Sequence, residues 1–451
     1  MFASVLREVT GYFDKRALIS TFFPVLAFLG GAVVVVWTTV SGVAGALAAW
    51  GGLAGTVQVA LLVGFLALVA FLTFLLGTLR EWQDRLCQGY WPSWAAGLAE
   101  RCARSHRAAR RALVERDGEL QREEEALAVE RAWLPRPDDA ASGGLTDEEF
   151  AAAVTALRAV RQSPEWPRGT AERLAEVVRA VRERPAEIEA VTGLALDLDA
   201  HLAAVEQAVR ARRAAVQQEL FLWYPQPPGD VQPTRMGNVV RAAEQHPTTR
   251  YRLDAVVLWT RLQPVLPKEF ADAVRDAKVS VDLLLTTAVF LPLFGMPLTW
   301  WLAWRLPAIE GPATWLTVLA VVVCGCAVVR LNHRMLPPAV AGGGLVVVHA
   351  VTRVWEPVLR IEVCLLWTLA LAVLSYGLYR NATHATLAYA ERLRTAFDLY
   401  RWKLLEELRI KLPETLTEEQ HVWGGLSQFL YRGGVADPAL LRYEHPRPEG
   451  P

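Results

Sequence analysis

Two long apolar runs near the N-terminus dominate the pattern of hydrophobic and polar positions. Leu18–Val40 and Val57–Leu79 contain no Asp, Glu, Lys, Arg or His. Each is long enough to cross a bilayer, which takes about 20 apolar residues. The stretch between them, Ser41–Thr56, is short, rich in glycine and uncharged. The pattern therefore predicts a transmembrane helical hairpin, preceded by an interfacial helix over Phe2–Lys15.

The charges beside this hairpin predict its orientation. The flanking basic residues are Arg7, Lys15, Arg16, Arg80 and Arg85. Because cytoplasmic loops carry an excess of Lys and Arg, both ends of the hairpin are expected in the cytoplasm.

A second group of apolar runs follows the polar middle of the chain. Val281–Trp304, Ala313–Val329 and Ile361–Tyr379 have the length of spans, whereas Pro338–Val351 is short and contains consecutive glycines. The residues after Tyr379 are basic, so the C-terminus is also expected in the cytoplasm. We therefore predict six crossings, with five crossings plus a re-entrant Pro338–Val351 as the alternative.

The segment between the apolar groups has helical periodicity and many charges. A long charged helix is predicted over Ser93–Trp133, and Thr146–Glu149 has the sequence of a capping box. In Pro185–Leu220 the apolar residues recur at spacings of three and four. That spacing fits a short coiled-coil seam or, as we favour, the core stripe of an antiparallel helical bundle.

These patterns predict an all-α fold: a polytopic helical membrane protein with an inserted cytoplasmic helical bundle. The predicted segments are an interfacial helix with the first hairpin (1–79), a cytoplasmic helical domain (80–277), a second transmembrane block (278–380), cytoplasmic C-terminal helices (381–443) and a disordered tail (444–451).

Composition adds little to the question of function. The 451 residues carry 47 basic and 47 acidic side chains, so nothing draws the chain toward nucleic acid. The abundance of Ala and Arg is typical of GC-rich bacterial genomes, which suggests a bacterial plasma membrane. The sequence contains no phosphate-binding loop, nucleophile elbow or zinc-hydrolase motif, so we expect neither an enzyme nor a cofactor or metal.

Three positions on the long charged helix could contact anionic lipid headgroups. Arg104, Arg107 and Arg111 are three to four residues apart and therefore share one face. The alternative is a solvated face paired with acidic neighbours.

The first span of the second group contains Pro292, Gly295 and Pro297. Each proline removes an intrahelical hydrogen bond, so the helix could be broken at mid-depth, and the freed carbonyls could line a pathway. The alternative, which we favour, is a kinked helix with a packing role only.

The densest polar stretch of the chain is 233–261. A short helix over Thr234–Glu244 and a turn at Pro247 are expected there. The candidate ligand-binding residues are Arg235, Asn238, Arg241, Glu244 and Asp254. Together with a helix N-terminus they could bind an anion. The alternative is an internal ion-pair network that docks this stretch against the membrane domain.

Three segments carry a resemblance to a known group. Pro233–Glu244 (P-T-R-x-G-N followed by R-A-A-E), Tyr251–Trp259 and Ala396–Arg401 (A-F-D-L-Y-R) resemble segments of bacterial multi-span membrane proteins to which no activity is assigned. The resemblance covers well under half of the chain. It implies a membrane location and no particular function.

The favoured function at this point is a non-enzymatic, oligomeric membrane scaffold or channel-like assembly. Small residues in the first hairpin would let helices approach closely: Gly30, Gly31, Gly64, Ala67 and Gly77. The expected partners are the lipid bilayer, anionic lipids and further copies of the chain. A transporter that uses the broken span, and a membrane-bound enzyme or ligand sensor with its site at 233–261, are the alternatives.

Overall fold

A computed structural model of the protein describes residues 18–134, 145–305, 356–434 and 441–444. Within these ranges the chain is helical, apart from turns, short loops and an isolated antiparallel bridge between Ile410 and Tyr443. The all-α prediction is therefore confirmed. The chain forms two compact units, which we call the membrane unit (Met1–Ala96 with Thr234–Pro451) and the inserted unit (Gly97–Pro233).

The helices are named here in chain order. They are α1 (Phe23–Gly51, after a π-helical turn at Leu18–Phe22), α2 (Gly55–Thr78), α3 (Arg80–Gln88), α4 (Ala96–Trp133), α5 (Asp147–Arg161), α6 (Thr170–Ala180), α7 (Ile188–Trp223), α8 (Arg235–Tyr251), α9 (Ala255–Leu262), α10 (Lys268–Arg305), α11 (Glu356–Glu407) and α12 (Leu416–Arg432).

Three helical stretches of the described chain are long and apolar enough to cross a membrane. They are Leu18–Gly51, Gly55–Thr78 and Lys268–Leu302. These stretches are consistent with a membrane protein. The predicted spans Ala313–Val329 and Pro338–Val351, the interfacial helix and nearly all of the tail lie outside the described residues, while Ile361–Tyr379 falls within α11.

The hairpin differs from its prediction at the end of the first helix. Helix α1 does not stop at Val40 but continues to Gly51, so most of the predicted linker is helical. Gly42, with φ of 69° and ψ of 160°, interrupts the helix, and the Ala- and Val-rich residues after it resume helical geometry. A left-handed φ is nearly free of strain only for glycine, which explains this residue at the kink.

The inserted unit has its own apolar core. Val191, Leu198, Leu202, Val205 and Val209 of α7 are buried against α4, α5 and α6, so the spacing in α7 is the core stripe of a bundle. The capping box is also confirmed, because the Thr146 side chain accepts from the Glu149 backbone while the Glu149 carboxylate accepts from the Thr146 backbone.

Helices α10 and α11 form the centre of the membrane unit. Val281 and Leu285 of α10 pack with Ala382 of α11 and with Met236 at the start of α8. Further along α10, Phe290 packs against residues of the first hairpin: Phe22, Val25 and Val69. The packing places the start of α8 beside the N-terminal half of α10, which carries charged residues.

Candidate functional site

Four charged side chains of α3 and α10 meet inside the membrane unit, and we call them the charge cluster. Lys278 Nζ lies 2.8 Å from Asp84 Oδ2 and 3.0 Å from Asp282 Oδ1. Arg80 Nη2 lies 2.9 Å from Asp282 Oδ2. The Asp282 side chain is completely buried. A buried carboxylate is tolerated only when paired, and here two cations hold its two oxygens.

The spacing of these residues explains how two helices build the charge cluster. Arg80 and Asp84 are four residues apart on α3, and Lys278 and Asp282 are four residues apart on α10. Each pair therefore lies on one face of its helix, one turn apart. Sequence reasoning used Arg80 only as a basic flank of the first hairpin, although the matching spacing in the two helices was visible.

A cavity of about 300 Å³ opens beside the charge cluster, at the lower end of the size of small-molecule sites. Helices α3, α8, α9, α10 and α11 all contribute to its wall. The lining residues are Asp84, Gln88, Met236, Val240, Glu244, Ala255, Val256, Trp259, Lys278, Val281, Thr386, Tyr389 and Leu393. Charged and aromatic groups thus face the same space as aliphatic ones.

Glu244 is the acidic residue that α8 contributes to the cavity. Burial raises the pKa of its carboxyl above the ordinary value, and the nearby positive charge of Arg241 offsets only part of that effect. The Arg241 guanidinium lies 3.5 Å from the carboxylate, one turn away on the same helix.

Burial likewise raises the pKa of the Cys87 thiol, to about 11, with a further increase from the charge of Asp84. The thiol therefore stays protonated at neutral pH.

The N-terminus of α8 is held against the C-terminal end of α3. A Cβ on Gly237 would stand 1.9 Å from the Gln88 carbonyl oxygen, so only glycine permits this approach. The Thr234 hydroxyl accepts from Gly237 N at 3.0 Å and caps the helix. This contact positions Glu244, two turns further along α8, at the cavity.

The five ligand-binding candidates have separate roles in the structure. Arg235 is exposed, and Asn238 is fully buried with its amide donating to Thr234 O at 2.9 Å. Arg241 pairs with Glu244, and Asp254 caps α9 by accepting from Val256 N and Val257 N. Of the five, only Glu244 lines the cavity. Anion binding at these residues stays a prediction.

The predicted turn at Pro247 is wrong. Helix α8 runs through Pro247 and ends at Tyr251, where Arg252 adopts a left-handed φ of 58°. A proline removes one intrahelical hydrogen bond but does not always end a helix when tertiary contacts hold both sides. Those contacts come from α11.

The contacts between α8 and α11 form a network around Asp398 of α11. His246 Nε2 lies 2.9 Å from Asp398 Oδ1, and the Tyr251 hydroxyl donates to the same oxygen at 2.9 Å. Arg401 stacks on the Tyr251 ring at 3.9 Å and binds Glu419 of α12 at 2.7 Å. Burial raises the pKa of Asp398, but the hydrogen bonds from His246 and Tyr251 outweigh it and leave the value below the ordinary one. The network joins Tyr251 of α8 to Asp398 and Arg401 of α11.

The helix break considered for the third span is absent, because α10 is continuous through both prolines. Pro292 cannot donate to the Ala288 carbonyl, and Ser375 Oγ of α11 donates to that oxygen instead, at 2.5 Å. A Cβ on Gly295 would lie 2.9 Å from Leu371 Cδ1, so this glycine permits close packing of α10 and α11. Two of the three pathway residues thus have a packing explanation, and a pathway at Pro292, Gly295 and Pro297 stays a prediction.

The three lipid-headgroup candidates lie on α4 in the inserted unit. Arg104 and Arg107 both pair with Glu100, and Arg111 is exposed. Contact with anionic lipid stays a prediction for them. Among the described residues, no group of three or more His, Cys, Asp or Glu side chains is arranged to hold a metal ion.

No protein family, curated protein or solved structure matches this chain. The site is therefore interpreted from its own geometry.

Proposed function

We propose that the protein is an integral membrane scaffold of the bacterial plasma membrane that self-associates through its first hairpin and carries the inserted unit as a rigid helical module. Both termini and the inserted unit face the cytoplasm in this proposal, as the basic flanks of the spans favour.

The observation that supports self-association is the surroundings of the hairpin glycines. Outside the chain neighbours and the helix's own nearby backbone, no described atom lies within 4 Å of the position that a Cβ would take at Gly31, Gly64 or Gly77. Gly295, by contrast, has Leu371 at 2.9 Å. Glycine inside a helix costs about 0.5–1 kcal/mol relative to alanine, so it needs a reason. Close approach of a helix from a second copy supplies one, since small residues mark contacts between membrane helices.

The proposed helical module rests on the two longest helices of the inserted unit, α4 and α7. Ion pairs join α4 and α7 from Asp117–Arg213 at one end to Arg131–Glu206 at the other, so the two helices are antiparallel. Helix α4 has 38 residues, which corresponds to a length of about 57 Å at the helical rise of ~1.5 Å per residue. A long paired module of this kind suits a spacer or docking arm.

The test is the mass of the full chain in lipid nanodiscs. We expect the wild type to form a defined oligomer and Gly64→Leu to dissociate it, because the added side chain would separate the helices. A Cβ at this position meets no described atom within 4 Å outside the nearby backbone of its own helix. Val59→Leu is the matched control, since Val59 is also exposed on α2 but on a different face. A monomeric wild type, or equal effects of the two variants, would refute the proposal. Conductance across a planar bilayer would identify the channel-like form of the assembly.

A further inference from the structure

The cavity beside the charge cluster presents more negative than positive charge. Asp84 and Glu244 contribute carboxylates to its wall, and among the described residues Lys278 contributes its single ammonium group. That ammonium is already held by Asp84 at 2.8 Å and by Asp282 at 3.0 Å. An anion entering the cavity would compete with both aspartates for Lys278 and would be repelled by Glu244.

Glu244 is the least compensated of these charges. Its partner Arg241 is at 3.5 Å, in a pair spaced by three residues on one helix, which is a weak arrangement. The Asp282 carboxylate, in contrast, has a cation within 3.0 Å of each oxygen. A cation that enters the cavity would therefore gain more favourable electrostatic energy from Glu244 than from any other residue of the cavity wall.

The remaining wall suits an organic cation rather than a metal ion. The aromatic residues Trp259 and Tyr389 line the cavity together with the aliphatic residues Val240, Val256 and Leu393. Aromatic faces attract ammonium groups, and aliphatic walls accept their carbon substituents.

We propose that this cavity binds a small organic ammonium ion, with Glu244 as its charge partner, Asp84 as a second carboxylate, and Trp259 and Tyr389 as aromatic walls. The ligand class is opposite in charge to the anion considered for this region from its sequence. The inference is independent of whether the chain self-associates.

The experiment measures binding of choline to the full chain by calorimetry in a neutral detergent. The neutral carbon isostere 3,3-dimethyl-1-butanol and inorganic phosphate serve as comparison probes. We expect choline to bind and the other two to bind more weakly or not at all. The same titration in nanodiscs with and without phosphatidylethanolamine separates a free amine from a lipid headgroup, because a headgroup in the cavity would weaken the apparent affinity for choline.

Variants assign the binding to the cavity. Glu244→Gln should weaken choline binding about tenfold, as expected for loss of a charge-assisted contact. Trp259→Leu should weaken it about threefold or more through loss of the aromatic wall. Glu391→Gln is the matched control and should have no effect, because Glu391 forms a similar pair with Arg394 at 3.4 Å but is exposed and does not line the cavity.

Three results would overturn the proposal. They are an absence of choline binding by the wild type, equal binding of choline and its neutral isostere, and preferential binding of phosphate. If Glu244→Gln does not fold, Trp259→Leu and the isostere comparison still decide the question.

Discussion

The charge cluster of the membrane unit and the ion pairs between α4 and α7 of the inserted unit use the same residue types in opposite surroundings. Asp282 is completely buried, and its partners Arg80 and Lys278 are about one-fifth exposed. Arg212 and Glu123, which join α7 to α4, are both about half exposed. An exposed pair contributes little because water and salt screen it, whereas a buried charge that loses its partner is strongly destabilising.

The difference shows why counting ion pairs says little about stability. In the inserted unit the apolar core holds the helices together, and the surface ion pairs help to set the relative orientation of α4 and α7. In the membrane unit the charge cluster fixes α3 against α10, and through the Gln88–Gly237 contact it also fixes the start of α8. The cavity depends on that arrangement.

The largest effect is expected at Asp282. Asp282→Ala leaves Arg80 and Lys278 with no carboxylate at this position, and we expect a loss of ~3–5 kcal/mol in the free energy of unfolding. Thermal unfolding in detergent measures it. The double variant Asp282→Ala with Lys278→Met removes a charge of each sign and should lose less than the two single variants combined. Additive losses would show that the buried pair is not coupled.

The second-largest effect is expected at Glu130, a partly buried carboxylate of the inserted unit. Glu130 of α4 accepts from Gly169 N at 2.5 Å and Ala171 N at 3.0 Å, at the start of α6, and from Trp166 Nε1 at 3.1 Å. Burial opposes ionisation of Glu130, but these hydrogen bonds outweigh it and lower its pKa. Glu130→Gln should therefore cost ~1–3 kcal/mol at neutral pH.

The pH dependence of this effect follows from the sign of the shift. Because the folded pKa lies below the unfolded one, the contribution of Glu130 is complete above the unfolded value of about 4.3. It is lost as the pH falls through the lower folded value. The measurement is hydrogen exchange of tryptophan indole N–H groups in the full chain, so the region need not be isolated and denatured. Equal stability of wild type and Glu130→Gln at pH 7 would contradict the prediction.

Features of the fold that depend on residues close together in the sequence were predictable, and features that depend on distant residues were not. The helices α4, α5 and α7, the Thr146 cap and the core stripe of α7 follow from periodicity and capping, which short stretches encode. The courses of α8 through Pro247 and α10 through Pro292 were not predictable in this way. Both depend on side chains of α11, more than 80 positions distant, such as Ser375 for Ala288.

The candidate site was only partly predictable for the same reason. Glu244 was identified from the density of polar residues, but Lys278 and Asp84 are 194 positions apart and meet only after folding. The polar stretch around Glu244 also contains residues whose polarity serves helix ends, such as Asp254 at α9. Sequence alone does not separate a cap from a ligand-binding residue.

A smaller effect is expected at Ser375, a neutral polar residue of the membrane unit that is only partly buried. Ser375→Ala removes the donor to the Ala288 carbonyl and should cost about 1 kcal/mol. In the Pro292→Ala background, the backbone N–H of residue 292 can donate to that carbonyl, so Ser375→Ala should then cost almost nothing. Thermal unfolding of the four proteins tests this coupling. Equal losses in the two backgrounds would show that Ser375 stabilises the unit for another reason.

The smallest effect is expected at the exposed pair of the inserted unit. Arg212 Nη2 lies 3.5 Å from Glu123 Oε1, and both side chains are about half exposed. Arg212→Ala should therefore change the free energy of unfolding by less than ~1 kcal/mol, and high salt should remove most of that difference. The same salt titration should leave the cost of Asp282→Ala nearly unchanged, because solvent ions do not reach a completely buried carboxylate. If Arg212→Ala proved as costly as Asp282→Ala, burial would not be what distinguishes the two regions, and the role given to the charge cluster in fixing α3 and α8 would have to be abandoned.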